Sequence, residues 1–414
     1  MPALLMARDG PLRVRPGLDP AFLRWGVQFL AACRSTAVQR TVTSQLALAA
    51  LSRTQLNQFT FDYGRRAAGK LVLYRTPRGF AGARATAAVD QDVQAPAECL
   101  ALEPALRISV DALAVGIFTA SEDVADCGAF CDGLAGLLRA DAGVPWHLGA
   151  RATPVLRGGR LVAVQAGGAD VTADAFVLAF GSGAAAFARQ AGVRLPHYPL
   201  KGYSLTVALN GPALRHRVTD LDAKTVYAPM GSEVRVAGIA DMVGHNPALD
   251  AGRLGTLHRA AAATIALSPG ADGRPWAGLS PATPGNCLLI GWSRVPGLFL
   301  NTGHGALGWT LFAGSVHVAC GMLTGKAGGV QTDRSAHRPR PTRQPCHPPQ
   351  PGRLLLQIRA RRQRLLGTRI ARLHIRTIEI GRAEQHVPPR QYRAVICRTL
   401  PGRQHAMVCT VVAR

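Results

Sequence analysis

The sequence predicts an α/β fold followed by a basic tail, and three observations support this prediction. Short apolar runs typical of strands alternate with helical patterns between residues 70 and 325. The strand candidates between residues 203 and 238 follow one another closely, which favours an antiparallel or mixed sheet of its own. After residue 325 this periodicity stops, and arginine and proline become frequent.

Local patterns predict the individual elements. Residues 1–65 are expected to be mainly helical, because Phe22, Trp25, Phe29 and Leu30 form one apolar stripe. The other predicted elements are strands at 70–74, 160–165, 175–180, 203–209, 225–228, 233–238 and 288–291, and helices at 127–142 and 254–266.

Composition limits the class of protein. The chain has 414 residues, and its 48% hydrophobic content supports at least one large core. No uninterrupted apolar run reaches the roughly 20 residues that cross a bilayer, and the first residues lack the order of a signal peptide, so a cytoplasmic location is expected. Of the nine cysteines only Cys127 and Cys131 lie close together, which favours free thiols and predicts no metal site. No oligomeric state follows from these features.

The positive charge is concentrated at the end of the chain. Residues 331–414 hold 18 Arg, no Lys and three acids, a net charge of +15 out of +24 for the chain. One interpretation is a disordered arm that binds nucleic acid through phosphate contacts. The other is a coding region read out of frame. We favour the second, because the change is abrupt and no aromatic platform for bases accompanies the arginines, so no specific nucleic-acid partner is expected.

A strand, a glycine turn and a helix follow one another near residue 304. Leu298–Leu300 is a short apolar run, Gly303, Gly305 and Gly308 surround His304, and a helical pattern continues to Leu323. Unpaired amides at such a helix start suit an anion or an electron-rich ring. The alternative is an ordinary buried turn that needs glycine for positive φ.

A second strand–turn–helix segment begins at Asp174. Gly181 and Gly183 could bring the backbone close to a nucleotide, but the third glycine position of a dinucleotide fingerprint is Ala186. No acid lies about twenty residues further on to hold a ribose hydroxyl. This segment therefore reads as a supporting turn.

Three motifs resemble one known family. Taken in order, they are similar to segments of the bacterial FAD-dependent D-amino acid dehydrogenases of the small-subunit type, and the resemblance runs from about Pro11 to Gly325. The motifs are PLKGYSLT at 199–206, RPWAGLSPATP at 274–284 and LNTGHGALGWT at 300–310.

The resemblance implies a fold and a chemistry. The fold would be that of the D-amino acid oxidase and glycine oxidase group, with a Rossmann-like FAD domain assembled from separated pieces and a substrate domain on a mixed sheet. The flavin would take a hydride from the α-carbon of a D-amino acid, and the imino acid would hydrolyse to a 2-oxo acid and ammonia. Electrons would pass to a quinone or respiratory-chain acceptor, which implies peripheral contact with the inner membrane.

The resemblance also implies site residues. Tyr203, Arg274 and Ser280 would face the substrate, although Ser280 stands where the family has the arginine that pairs with the substrate carboxylate. No catalytic acid or base is assigned, because positioning the substrate over the flavin carries much of the rate. The expected FAD contacts are Gly181, Ser182, Gly303, His304, Gly305, Ala306, Leu307 and Gly308.

The resemblance divides the chain into pieces. Residues 1–65 would be a helical segment that follows the family's first strand, G-x-G-x-x-G turn and helix, so the FAD domain is expected to be incomplete and the activity doubtful. Residues 66–110 and 196–270 would form the substrate domain, 111–195 and 271–326 the remaining FAD domain, and 327–414 a disordered basic tail. A basic nucleic-acid-binding protein on a non-catalytic oxidoreductase scaffold is the competing prediction.

Overall fold

The computed structural model describes residues 10–14, 19–77, 80–81, 90–140, 144–270, 272–325, 393–399 and 407–413. All of these belong to one compact unit, and the second unit, 331–391, lies outside the described residues.

The described residues form eighteen strands and seven α-helices. The strands are β1 (Leu12–Val14), β2 (Lys70–Tyr74), β3 (Gln91–Gln94), β4 (Val115–Thr119), β5 (Trp146–Leu148), β6 (Ala152–Arg157), β7 (Arg160–Ala166), β8 (Ala169–Thr172), β9 (Ala175–Ala179), β10 (Tyr198–Ala208), β11 (Arg217–Asp220), β12 (Thr225–Met230), β13 (Glu233–Met242), β14 (Arg274–Ala282), β15 (Leu289–Trp292), β16 (Leu298–Thr302), β17 (Arg393–Thr399) and β18 (Met407–Ala413). The helices are α1 (Pro20–Ala32), α2 (Ser35–Leu56), α3 (Pro96–Leu102), α4 (Cys127–Ala140), α5 (Ala184–Gln190), α6 (Ala251–Thr264) and α7 (Gly308–Thr324).

A nine-stranded mixed sheet forms the larger layer. Its order is β14-β10-β13-β12-β11-β2-β4-β3, and β1 pairs in parallel with β13. Side chains alternate between buried and half-buried along β12, as expected for a sheet with one face in the core. Helix α6 covers this face, where the Tyr227 hydroxyl bonds to Ala260 O and Thr264 Oγ1, each at 2.9 Å.

This sheet shifts two of the expected domain boundaries. Strands β4 and β14 belong to it, although the sequence places both in the FAD domain. Both strands pair along their length with strands of the expected substrate domain, β2 for β4 and β10 for β14. Strand β1 is a short strand within residues 1–65, which were expected to be mainly helical.

A six-stranded sheet, in the order β15-β16-β9-β18-β17-β5, forms the second layer. Strand β9 pairs in parallel with β16 on one side and with β18 on the other. Strands β17 and β18 lie within the range that was expected to be a disordered basic tail. Both segments are rich in β-branched residues, which favour strands, and they pair as an antiparallel hairpin. Residues 327–392, 400–406 and 414 of the expected tail lie outside the described residues.

The central position of β18 can be tested with proline. Val411 pairs with Leu178 of β9, and the same strand also pairs with β17, so proline at 411 removes a ladder donor from the middle of a sheet. We expect Val411→Pro to lower the free energy of unfolding by about 2 kcal/mol or more in urea titrations. A change within about 0.5 kcal/mol, as at unstructured positions, would show that this strand is not part of the sheet.

Helices α2 and α7 pack closely against each other, and α7 also packs against the second sheet. A methyl group on Gly314 would lie 2.5 Å from Leu48 O, so only glycine permits this approach, and Gly314 N donates to Ser52 Oγ at 2.8 Å. In the described residues, the helical segment Gly305–Thr324 is long and apolar enough to span a membrane by length and composition, and a third of it is buried. Strands β6, β7 and β8 form a separate three-stranded meander.

Candidate functional site

Two glycine turns leave the same edge of the second sheet. Because β9 and β16 are parallel neighbours, their carboxyl ends lie side by side. The turn Gly181–Gly183 follows β9, and the turn Gly305–Leu307 follows β16. Strand β14 packs against both turns. The carboxyl edge of parallel strands is where open α/β sheets bind ligands, so the fold brings the two expected FAD segments together at a suitable place.

Gly303 has a conformation and surroundings that only glycine satisfies. Its φ is +86°, in the left-handed region. A methyl group there would lie 3.0 Å from Thr283 Cγ2, 3.2 Å from Cys287 O and 3.5 Å from His197 Nε2. Gly181 and Gly305 also have positive φ, of 51° and 55°. All three conformations favour glycine, because other residues rarely adopt them.

The His304 ring is fixed against helix α7. Its Nε2 lies 2.9 Å from Ser315 Oγ, and that hydroxyl donates its single proton to Phe312 O at 2.8 Å. Ser315 can therefore only accept, so His304 carries its proton on Nε2 and offers Nδ1 as an acceptor. Burial lowers the pKa of His304 to about 4, which keeps the ring neutral at pH 7.

His197, just before β10, is the site residue that the sequence reasoning missed. Both of its ring nitrogens are buried and have no hydrogen-bonding partner among the described residues. Burial first, and the neighbouring His304 second, lower the pKa of His197 to about 4. His197 lies two positions before the PLKGYSLT motif, and a histidine so close to a motif was the signal that could have identified it.

Two further buried polar atoms at the end of β16 lack partners in the described part of the chain. They are Asn301 Oδ1 and Thr302 Oγ1. Thr302 shares a strand face with Leu300. The core cluster of Leu300 includes Val193, and Leu195, two residues before His197, packs against that cluster. Unpaired buried polar atoms are rare, and a bound polar ligand would supply the missing partners. Asn301 and Thr302 are consecutive on β16, so their side chains point to opposite faces of the sheet, and at most one of them can contact the same ligand as His197.

The two neutral histidines predict a pH dependence of stability. Their folded pKa of about 4 lies below the ordinary value of 6.5, so the unfolded chain takes up protons first as the pH falls. Stability is complete above pH 6.5 and falls between 6.5 and 4, by roughly 2 kcal/mol for each ring at pH 4.5. We expect His197→Phe to lose about half of this dependence in urea titrations at pH 7 and 4.5. An unchanged dependence in the variant would refute the assignment.

The three expected substrate residues do not share one location. Ser280 is half-buried on β14, opposite Leu200 of β10. Arg274 lies at the far end of β14, where its two guanidinium nitrogens donate to the Glu233 carboxylate at 2.7 and 2.6 Å. The Arg274 side chain is 70% exposed. Its charge is therefore already paired, and Ser280 offers no charge, so neither supplies a free cation for a carboxylate.

Tyr203 lies inside the large sheet. It is 2% exposed, belongs to the main core cluster and occupies an irregularity in the register between β10 and β13. Its hydroxyl donates to Asp241 Oδ2 at 2.9 Å. Burial and this carboxylate raise the pKa of Tyr203 well above its ordinary value. The hydroxyl has a partner within the protein, which speaks against the expected contact with substrate.

Helices α1 and α2 are bonded to the end of β14 and to the loop that follows it. Three hydrogen bonds make this connection: Trp25 Nε1 donates to Ala282 O at 3.0 Å, Thr41 Oγ1 to Gly285 O at 3.2 Å, and Gln45 Nε2 to Asn286 O at 2.8 Å. No group of three or more His, Cys, Asp or Glu in the described residues could hold a metal ion.

Comparison with known proteins gives the family. The profile of the FAD dependent oxidoreductase family matches residues 17–320. A protein from Ralstonia nicotianae, "D-amino acid dehydrogenase 2", is 39% identical over 357 residues, which cover 80% of this chain and 83% of that protein. A protein of the same description from Pseudomonas aeruginosa is 43% identical over 327 residues, with 75% and 77% covered.

Solved structures agree in fold. The glycine oxidase from Geobacillus kaustophilus has a TM-score of 0.56 and 20% identity, covering 70% of this chain and 80% of that one. The iminodiacetate oxidase from Chelativorans sp. BNC1 has a TM-score of 0.57 and 21% identity, covering 77% and 85%. The expected fold class, the family and FAD as its cofactor are thus confirmed. The chain belongs to the FAD-dependent oxidoreductase family, within its D-amino acid dehydrogenase branch.

Proposed function

We propose that this protein oxidises D-amino acids to 2-oxo acids and ammonia and passes the electrons to a quinone-type acceptor at the membrane surface. The observation that carries the proposal is the convergence of two glycine turns, Gly181–Gly183 and Gly305–Leu307, at the ends of β9 and β16, where buried polar atoms lack partners. The relatives from Ralstonia nicotianae and Pseudomonas aeruginosa, described as D-amino acid dehydrogenases, support the choice of substrate class.

The residues around this edge suit FAD. When bound, FAD supplies the acceptor for a hydride from the substrate α-carbon. The amino end of α7 points its dipole toward the turn at Gly305–Leu307 and would stabilise negative charge there. Neutral rings at His197 and His304 provide hydrogen bonds without a fixed charge. Burial of these groups excludes water from their surroundings, which strengthens each interaction.

Substrate binding is the weak point of this site. A carboxylate is held best by a bidentate arginine, whereas Ser280 has only a hydroxyl and Arg274 is paired with Glu233. We therefore propose a low affinity for D-amino acids. We expect Ser280→Arg to lower the KM for D-alanine by about tenfold, as for one charge-assisted contact, with a smaller change in kcat. Ser280→Gln, which adds length but no charge, is the matched control, and an equal gain in both variants would contradict the charge argument.

Optical spectroscopy of the purified chain tests the function itself. After reconstitution with FAD, we expect a bound flavin band near ~450 nm that anaerobic D-alanine bleaches and L-alanine does not. A soluble quinone analogue should restore the band. Failure to retain flavin, or equal reduction by both enantiomers, would overturn the proposal.

A further inference from the structure

Helix α1 has apolar side chains on both of its sides. On one side, Phe22 and Trp25 lie 5.2 and 6.2 Å from the Tyr198 ring, between ring centroids. The other side carries Leu23, Val27 and Leu30, which are 54%, 71% and 72% exposed. Their spacing of four and three residues places them on one stripe. The stripe faces away from the side chains that fix the helix to the protein.

Helix α2 continues this exposed apolar character. Val38, Val42 and Leu46 follow one another at intervals of four residues and are 46%, 47% and 67% exposed. We call these three residues and the α1 stripe the helix surface. Thr41 and Gln45, between them, hold the loop after β14 through Gly285 O and Asn286 O. The helix surface is therefore attached to a loop that contacts Gly303 of the candidate site.

The charge around the helix surface favours one kind of partner. Between Asp19 and Asp62 the sequence contains four arginines and no acid, and Arg24 and Arg34 are exposed beside the apolar residues. A symmetric contact with a second copy would bring these positive charges together, and their repulsion would oppose a dimer at this surface. An anionic lipid surface complements them, and apolar side chains beside exposed arginines are typical of helices that lie in a membrane interface.

We propose that the helix surface binds the interface of an anionic lipid bilayer. Leu23, Val27 and Leu30 enter the boundary between headgroups and acyl chains, while Arg24 and Arg34 contact lipid phosphates. This orientation holds the loop after β14 and the turn at Gly303 close to the membrane. This inference rests on the proposed function, because docking would bring the candidate site close to a quinone acceptor dissolved in the bilayer.

Vesicle sedimentation with the full chain tests the surface without any measurement of turnover. At low salt, we expect stronger binding to vesicles with phosphatidylglycerol than to pure phosphatidylcholine. The arginines of residues 331–414 would add to this difference, so binding is also measured at about 1 M salt, where charges are screened within about 3 Å. The binding that remains should come from the apolar stripe.

The variant Leu23→Ser/Val27→Ser/Leu30→Ser removes apolar area without changing charge. We expect the salt-resistant binding to fall by at least about tenfold. Val93→Ser, at a 51% exposed position on β3, is the matched control and should bind like the unaltered chain. Equal binding by all three proteins, or no salt-resistant binding at all, would overturn the proposal. A dimer that the triple variant dissociates in light scattering would assign the surface to a second copy instead. D-alanine reduction of bound flavin should persist in the variant, so a failure of docking and a failure of the proposed function are distinguishable.

Discussion

Replacing Asp241 with alanine is expected to lower the free energy of unfolding by about 3–5 kcal/mol. The carboxylate is fully buried and has three partners. Arg13 Nη2 lies 2.5 Å away, Arg253 Nε lies 3.0 Å away, and the Tyr203 hydroxyl donates at 2.9 Å. Arg253 is itself 1% exposed. Removing the carboxylate leaves that buried guanidinium without its counter-charge, which costs far more than a surface ion pair gains.

Urea titration of Asp241→Ala against Glu233→Ala measures this difference. Glu233 also forms a close ion pair, with Arg274, but the Arg274 side chain is 70% exposed. Its removal should cost about 1 kcal/mol or less. If the two variants lose equal stability, the buried network does not hold the end of β13 as described. The Tyr203 hydroxyl loses its acceptor in Asp241→Ala. If this variant also loses bound flavin at temperatures where it stays folded, Tyr203 contributes to the flavin site as well as to the core.

Local sequence patterns predicted many elements of the fold. The apolar run at 70–74 is β2, and the predicted helix at 127–142 is α4, Cys127–Ala140. These elements depend on neighbouring residues, which a sequence displays directly. Strand β18 could not be predicted in this way. Its segment becomes a central strand only because β9 and β17 form hydrogen bonds with it on both sides. The long basic stretch before it has no strand periodicity that would indicate this pairing.

Part of the candidate site could also be predicted, because its glycine turns are local sequence patterns. The glycine turns at 181–183 and 303–308 stand out in the sequence, and the parallel pairing of β9 and β16 places them together. The partner of Tyr203 lies 38 residues away, and that of Arg274 lies 41 residues away, so no local pattern reveals them. The sequence shows which residues can form a hydrogen bond, but the fold decides whether a substrate or the protein receives it.

Gly303→Ala is expected to reduce the affinity for FAD by at least about tenfold. The added methyl group must adopt a φ of +86°, which costs about 1–2 kcal/mol for a residue other than glycine. It would also lie 3.0 Å from Thr283 Cγ2 and 3.2 Å from Cys287 O, so the turn must move away from the loop after β14. Displacing the turn moves the start of α7 and the neutral ring of His304, the groups proposed to face the flavin.

Gly136→Ala is the control that separates this displacement from a general effect of an added methyl group. Gly136 is an exposed residue of helix α4, and a methyl group there would meet nothing within 4 Å. Alanine should stabilise the helix by up to about 1 kcal/mol and leave FAD binding unchanged. Flavin titration followed by absorbance, with urea unfolding of each protein in parallel, gives both quantities. Loss of FAD in Gly303→Ala alone supports the site. Equal affinity in both variants, with Gly303→Ala folded, would mean that the flavin does not approach this turn.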